Sequence, residues 1–218
     1  MEALLAFGAA LLAHRLAGSL ARRWRATRSP QLAAWSASLS AYALASAALA
    51  WGASAGWNEA SFRVYYTCGG LLTAPLLGVG SLLLAGRRWA AHVGLLYAGL
   101  AVGIGLASPL TSPVGGTAIP EAQQHLDLVP ERILAIAANS LGTLAVGVVA
   151  LSTMRRRPLG NVLILAGVAS AAAGSAVAGL GVAQTAAFIA LGVLLLSWGF
   201  HAQGKNFVSF RLARKHRG

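Results

Sequence analysis

Apolar runs about 20 residues long recur along nearly the whole chain, separated by short connectors that hold most of the charged residues. A helix needs about 20 mostly apolar residues to cross the roughly 30 Å of hydrocarbon in a bilayer. Apolar residues make up 57% of the sequence and charged residues only 10%, so one soluble core could not bury this much apolar surface. The sequence therefore predicts an all-α polytopic membrane protein.

Seven predicted spans account for a transmembrane domain over residues 1–204, and a basic tail follows over residues 205–218. The first span covers only about residues 2–16, because His14 and Arg15 mark its end and the long Arg15 side chain can reach the interface. A basic connector is expected over residues 17–31, which hold four arginines and end just after Pro30. The other spans are expected at about residues 32–52, 67–86, 89–107, 132–153, 159–179 and 185–202.

The positive charges lie almost entirely on one side of this arrangement. Of the 17 Lys and Arg residues, only Arg63 and Arg132 fall on the opposite side, together with all 5 acidic residues. Cytoplasmic connectors of membrane proteins carry an excess of Lys and Arg. We therefore expect the N-terminus outside and the C-terminus in the cytoplasm, in the plasma (inner) membrane of a bacterium.

Arg63 is the only basic residue between the second and third predicted spans, and it stands in an aromatic stretch. Glu59 lies four residues earlier, a spacing that favours an ion pair on a helix. Tyr65 and Tyr66 add aromatic rings of the kind that prefer the membrane interface. The leading interpretation is that these residues anchor the helix at the interface. The alternative is that Arg63, Tyr65 and Tyr66 meet an anionic head group or solute at an outward-facing site.

Pro75 lies deeper in the third predicted span, where its missing N–H leaves a carbonyl oxygen without a helical partner. Such carbonyl oxygens can bend a helix or line a cavity. Asn139, in the fifth predicted span, is a polar residue that could face this cavity or join two helices by a hydrogen bond. Pro75 and Asn139 therefore complete the predicted substrate-binding site.

The longest connector, residues 108–131, contains four prolines and most of the acidic residues. Proline excludes one continuous helix, so we expect an irregular, solvated loop that is either a plain connector or a lid over an outward cavity. His125, Glu121, Asp127 and Glu131 are of the types that bind zinc or calcium, but their spacing matches no metal-binding motif. No metal site is predicted.

Three histidines, His14, His92 and His201, fall near the basic side of the predicted spans. Histidines from different helices at one depth could hold a haem iron, and Gly94 would leave room beside the macrocycle. The bland interpretation is that they are ordinary hydrogen-bonding residues at the interface. No cofactor is predicted, and haem bound between His92 and His201 is the alternative.

Glycines recur every seven residues in and just after the sixth predicted span, at Gly160, Gly167, Gly174 and Gly181. Small residues let helices approach closely in a bilayer. This face therefore predicts packing within the chain. A second copy of the chain, in a homo-oligomer, or another membrane protein is the alternative partner.

The tail mixes aromatic residues with cations, and its lipid-facing basic residues are predicted to be Lys205, Arg211, Arg214 and Lys215. A basic segment next to a membrane is attracted to anionic lipid head groups. We expect the tail to lie along the inner leaflet, and no nucleic acid is predicted as a partner.

Function follows from what the spans contain. No predicted span carries an acidic residue in its middle, which argues against proton coupling through a midplane carboxylate. The chain has no nucleophile motif or phosphate-binding glycine loop, so an enzyme is not predicted. The leading interpretation is a small transporter or accessory membrane subunit that handles an apolar or anionic small molecule or lipid. A membrane haem protein and a structural assembly partner are the alternatives.

Overall fold

The computed structural model describes residues 2–155, 158–176, 191 and 195, and all regular structure in these residues is helical, as the sequence predicts. The α-helices are α1 (Glu2–Thr27), α2 (Pro30–Ala55), α3 (Glu59–Tyr65), α4 (Thr73–Leu84), α5 (Ala90–Ala107), α6 (Ala122–His125), α7 (Ile133–Ser152) and α8 (Pro158–Ala176). A π-helical turn, Tyr66–Leu72, joins α3 to α4, and a second one, Leu128–Arg132, leads into α7.

Five helical stretches are long and apolar enough to cross a membrane, counted over the residues described above: Ala3–Thr27, Pro30–Ala55, Glu59–Leu84, Ala90–Ala107 and Leu128–Ser152. The apolar part of α8 is shorter, Pro158–Gly167. The seventh predicted span lies, except for Leu191 and Leu195, outside the described residues, and so do Gly181, His201 and the whole tail.

The first helix is longer than predicted, because α1 continues from the expected end near Leu16 as far as Thr27. The expected connector over residues 17–31 is therefore wrong for most of its length. Leu16, Ala17 and Leu20 remain buried against α2, while the arginines that follow point away into exposed positions. Arginine is a good helix former, so a basic sequence with one apolar face continues the helix. The helix ends where Arg28 adopts a φ of 54°.

The third span also begins earlier than the predicted residue 67. Asn58 and Ser61 form a reciprocal capping box, with Asn58 Oδ1 accepting from the Ser61 N–H at 2.9 Å and Ser61 Oγ accepting from the Asn58 N–H at 3.0 Å. Capping satisfies N–H groups that a helix start leaves free. One continuous helical rod thus runs from Glu59 to Leu84 through the π-helical turn.

Neighbouring helices contact at glycines. A Cβ atom placed on Gly78 of α4 would lie 2.7 Å from the Gly142 Cα of α7, so these two backbones touch. On α5, Gly94 packs on Val79 in the same close way. Helices in a bilayer associate by such close approach of small residues.

The helices alternate in direction, which gives the bundle two ends of different character. The basic end holds the C-terminal turns of α1, α4 and α7 with their arginines, Arg22 to Arg28, Arg87, Arg88 and Arg155. The aromatic end holds Trp57, Arg63 and residues 108–131, with the acidic side chains Glu59, Glu121, Asp127 and Glu131. Charge of opposite sign is therefore separated along the bundle axis.

Candidate functional site

Hydrogen bonds from the side chains of two other helices meet at the π-helical turn Tyr66–Leu72. Pro75 has no N–H to give to the carbonyl groups of Leu71 or Gly70, which lie four and five residues before it. The Leu71 carbonyl instead accepts from the Tyr97 hydroxyl of α5, and the Gly70 carbonyl accepts from Nδ2 of Asn139 on α7. Side chains from two other helices thus satisfy the oxygens that the proline leaves free.

Two further bonds complete this arrangement. The Thr73 hydroxyl donates to the Cys68 carbonyl at 2.7 Å, and the Thr73 carbonyl accepts from the Ser38 hydroxyl of α2 at 2.6 Å. Pro75 itself packs against α7, because a Cβ on Gly142 would lie 2.8 Å from the Pro75 Cα. Pro75 and Asn139 therefore lie in a joint between helices.

A small cavity lies at the aromatic end, between the start of the third span, the end of α5 and the segment 108–131. Its volume is about 10 Å³, close to the room that a single water needs. Its polar lining consists of Arg63, Tyr66, Ser108 and Glu131, and its apolar lining includes Phe62, Ile104, Leu110 and Leu126. Predicted site residues, Arg63 and Tyr66, thus meet a buried polar residue, Glu131, around open space.

Arg63 is held firmly at this cavity. The predicted ion pair with Glu59 is present, since Nη2 of Arg63 lies 2.8 Å and Nε lies 2.9 Å from Glu59 Oε1. Nη1 of Arg63 donates to the carbonyl oxygens of Gly105 and Leu106 at 3.3 and 3.2 Å. These oxygens belong to the C-terminal turn of α5, where carbonyls lack helical partners and a cation is favoured.

Glu131 lies in a different environment from the one that the sequence predicts. It was expected in a solvated loop, but only 4% of its surface is exposed, and Oε2 has no hydrogen-bond partner among the described groups. The Tyr66 hydroxyl donates to the Glu131 backbone carbonyl at 3.1 Å. A usable signal was present: Glu131 directly precedes the apolar run of α7, and a carboxylate is favoured in the first turn of a helix.

Residues 108–131 form a cap over the cavity, and they are less solvated than predicted. His125 is buried, and its ring meets the Phe62 ring edge to face with centroids 5.4 Å apart. The Ser112 hydroxyl lies 2.6 Å from the Gln124 carbonyl and 2.8 Å from His125 Nδ1, an arrangement in which Nδ1 carries the proton and donates. The backbone N–H of Trp57 donates to the Gly116 carbonyl at 2.7 Å, and this bond connects the cap to the bundle.

The five residues predicted as a binding site thus separate into two groups. Arg63 and Tyr66 line the cavity at the aromatic end. Tyr65 packs edge to face on Trp57 beside it, with ring centroids 5.3 Å apart. Pro75 and Asn139 lie deeper, at the π-helical joint. Sequence reasoning missed Ser108 and Glu131, which come to the cavity from the connector.

His14 and His92 lie at different depths, and His201 is outside the described residues. His14 stands near the middle of α1, because this helix extends to Thr27, whereas His92 is in the first turn of α5 at the basic end. Both side chains are exposed. The space beside Gly94 is filled by Val79, so it offers no room for a macrocycle. In the part of the chain that the structure describes, no three His, Cys, Asp or Glu side chains form a group that could hold a metal ion.

The glycine face of the sixth predicted span is partly visible in α8. Gly160 and Gly167 are buried, and Ile164 between them packs with Leu16 and Val146 from α1 and α7. Gly174 lies near the end of α8, while Gly181 and the predicted lipid-facing residues fall outside the described ranges; those residues are Lys205, Arg211, Arg214 and Lys215.

Comparison of the chain with protein-family models, with curated proteins and with solved structures finds no match to any of them.

Proposed function

We propose that the chain is a seven-span membrane protein that binds a small amphipathic molecule at its aromatic end, as a transporter or as an accessory subunit of one. The observation that carries this proposal is the cavity in which Arg63 and the buried Glu131 line one polar space between apolar walls. A concave, mostly apolar site with a few convergent polar groups is the usual form of a small-molecule site.

The unpartnered oxygen of Glu131 supports the proposal independently. Buried polar atoms in native proteins nearly always have a hydrogen-bond partner, so an atom without one can accept a bond from a bound water or ligand. Oε2 of Glu131 has none among the described groups, although the side chain is almost completely buried. A water or the polar head of a ligand would satisfy it.

The lining defines the chemistry of that ligand. Oε2 of Glu131 has no donor among the described groups, so a hydroxyl or amine head group, which can donate a hydrogen bond, suits it. The Arg63 guanidinium is already engaged by Glu59 and two carbonyl oxygens, which leaves it little capacity for a second anion. Phe62, Leu110 and the other apolar walls suit a short hydrocarbon chain. An uncharged or basic amphipathic molecule therefore fits better than an anionic one, which is one of the two ligand classes, apolar or anionic, that the sequence predicts.

Binding requires the cap to move, because about 10 Å³ admits no more than a water. Few polar contacts between the cap and the bundle would have to break. They include the bond from the Trp57 backbone N–H to the Gly116 carbonyl and the bond from the Tyr66 hydroxyl to the Glu131 backbone carbonyl. Loops that close over a ligand are a common way to exclude water from a site.

The proposed orientation places this site outside the cell. The basic residues concentrate at the opposite end of the bundle, and the positive-inside rule assigns that end to the cytoplasm. A site under the cap at the aromatic end would thus receive its ligand from outside, in the plasma membrane of a bacterium.

Thermal unfolding in phosphatidylcholine nanodiscs tests the proposal with three six-carbon probes: hexanol, hexylamine and hexanoate. We expect hexanol or hexylamine to raise Tm, because a ligand at 100 times its Kd stabilises the folded state by about 2.7 kcal/mol. The rise should be lost in Glu131→Met, which removes the acceptor oxygens, and kept in Asp127→Asn, whose carboxylate is exposed at the same end. Equal shifts in all three proteins would mean that the probes act only through the bilayer, which would refute the site.

A further inference from the structure

Arg15 lies at the middle of the bundle rather than at an interface. The Ser36 hydroxyl of α2 donates to the Ala17 carbonyl of α1 at 2.9 Å, which sets residues 17 and 36 at one level. The Ser38 hydroxyl donates to the Thr73 carbonyl at 2.6 Å, and Thr73 is near the middle of the Glu59–Leu84 rod. Because α1 and α2 run antiparallel, Arg15 is at about the level of Ser38 and Thr73.

The Arg15 side chain points away from the bundle. The opposite face of α1 is buried through Ala13, Leu16 and Ala17, whereas Arg15 is exposed. Arg15 shares its face with Leu4, which is 73% exposed, and Leu11, which is 50% exposed. In a membrane this face, which the described helices leave uncovered, would contact hydrocarbon, where an unpaired arginine is costly.

The chain has no carboxylate that could serve as that partner. All 5 acidic residues are at or before Glu131, and none lies within a span at this depth. Glu59, the one carboxylate found in an ion pair among the described residues, is engaged by Arg63 at the aromatic end. A second copy of the chain would bring the same sequence, and hence no carboxylate at this depth either.

We propose that this face of α1 binds a membrane helix of a different protein that carries an Asp or Glu at mid-depth, paired with Arg15. Leu4, Gly8, Leu11 and Arg15 follow one another at spacings of three and four residues, the pattern of a helix that packs along a single partner helix. A Cβ atom placed on Gly8 would meet no described atom within 4 Å, so the partner backbone can approach there. The inference does not depend on the ligand site at the aromatic end.

The test uses the full chain with two leucine-rich peptides of about 20 residues. One peptide carries a central Glu and the other a central Gln. Fluorescence energy transfer would be measured in phosphatidylcholine vesicles. The donor dye is attached to the cysteine of Thr27→Cys, made in a Cys68→Ala background, and the acceptor dye is on the peptide. We expect the Glu peptide to bind at least about tenfold more tightly than the Gln peptide, since close charge pairs contribute strongly to affinity. The preference should vanish in Arg15→Leu, which removes an exposed charge and leaves the buried face of α1 intact.

Two controls keep the test decisive. Arg22→Leu removes another exposed arginine of α1, nearer the basic end, and should retain the preference, as should Arg15→Lys. Equal binding of the Glu and Gln peptides by the unaltered chain would overturn the proposal, and so would a preference that persists in Arg15→Leu. Adding phosphatidylglycerol tests the lipid alternative: if anionic lipid abolishes the preference, Arg15 pairs with a lipid phosphate and the protein partner is wrong.

Discussion

Replacement of Gly142 by alanine should destabilise the bundle, because this glycine is where α7 touches the Glu59–Leu84 rod. The new Cβ would lie 2.7 Å from the Ala74 carbonyl carbon and 2.8 Å from the Pro75 Cα. Both neighbours are backbone atoms, so no side chain can rotate away to make room. The two helices would have to separate, which would also strain the bond from Asn139 to the Gly70 carbonyl.

Gly147→Ala on the same helix provides a matched control, since its Cβ would meet no described atom within 4 Å. Alanine favours a helix over glycine by about 1 kcal/mol, and this gain is common to both variants. Overpacking a tight contact costs about 1–3 kcal/mol. The difference in the free energy of unfolding between the two variants should therefore be about 1–3 kcal/mol, with Gly142→Ala the less stable.

Unfolding by sodium dodecyl sulfate from mixed micelles, followed by circular dichroism, measures this difference. Gly78→Ala should behave like Gly142→Ala, because its Cβ would meet the Gly142 backbone from the other side. If Gly142→Ala and Gly147→Ala were equally stable, α4 and α7 would not be in backbone contact, and the packing described here would be wrong.

Three further substitutions test other contacts. Asn139→Leu removes the donor to the Gly70 carbonyl and should lower the free energy of unfolding by about 0.6–2 kcal/mol in the same assay, while Ser140→Ala at an exposed position should have little effect. Glu131→Met replaces a buried side chain whose Oε2 has no partner among the described groups by an apolar side chain of similar length. It should raise stability by about 1–3 kcal/mol; a loss of stability would show that this oxygen has a stabilising partner. Asn58→Ala breaks the capping box and should lower the stability of the helix start by about 1 kcal/mol, seen as faster amide exchange at Ser61 than in the unaltered chain. Unchanged exchange would contradict the capping box.

The sequence predicts the positions of the central helices well. The fourth span was expected at residues 89–107 and α5 is Ala90–Ala107, and the fifth was expected at residues 132–153 and α7 is Ile133–Ser152. Arginines and prolines mark these ends, and the hydropathy change there is abrupt. The end of α1 carries no such mark, because its arginines occupy one side of a helix whose other side stays apolar. Hydropathy alone cannot separate such a helix from a connector.

The site was only partly predictable for a related reason. The ion pair of Arg63 with Glu59 is local, so its spacing reveals it. The burial of Glu131 and His125 depends on how a proline-containing segment folds back onto Phe62 and Tyr66, which no local pattern encodes. The carbonyl groups freed by Pro75 were expected, but their partners come from separate helices and required the tertiary structure.

Labelling of single cysteines in intact cells tests the outward-facing site most directly. In a Cys68→Ala background, Asp127→Cys places an exposed thiol in the cap and Arg88→Cys places one at the basic end. A membrane-impermeant maleimide should label residue 127 before lysis and residue 88 only after lysis. Labelling of residue 88 but not residue 127 in intact cells would place the cap in the cytoplasm and contradict an outward-facing ligand site.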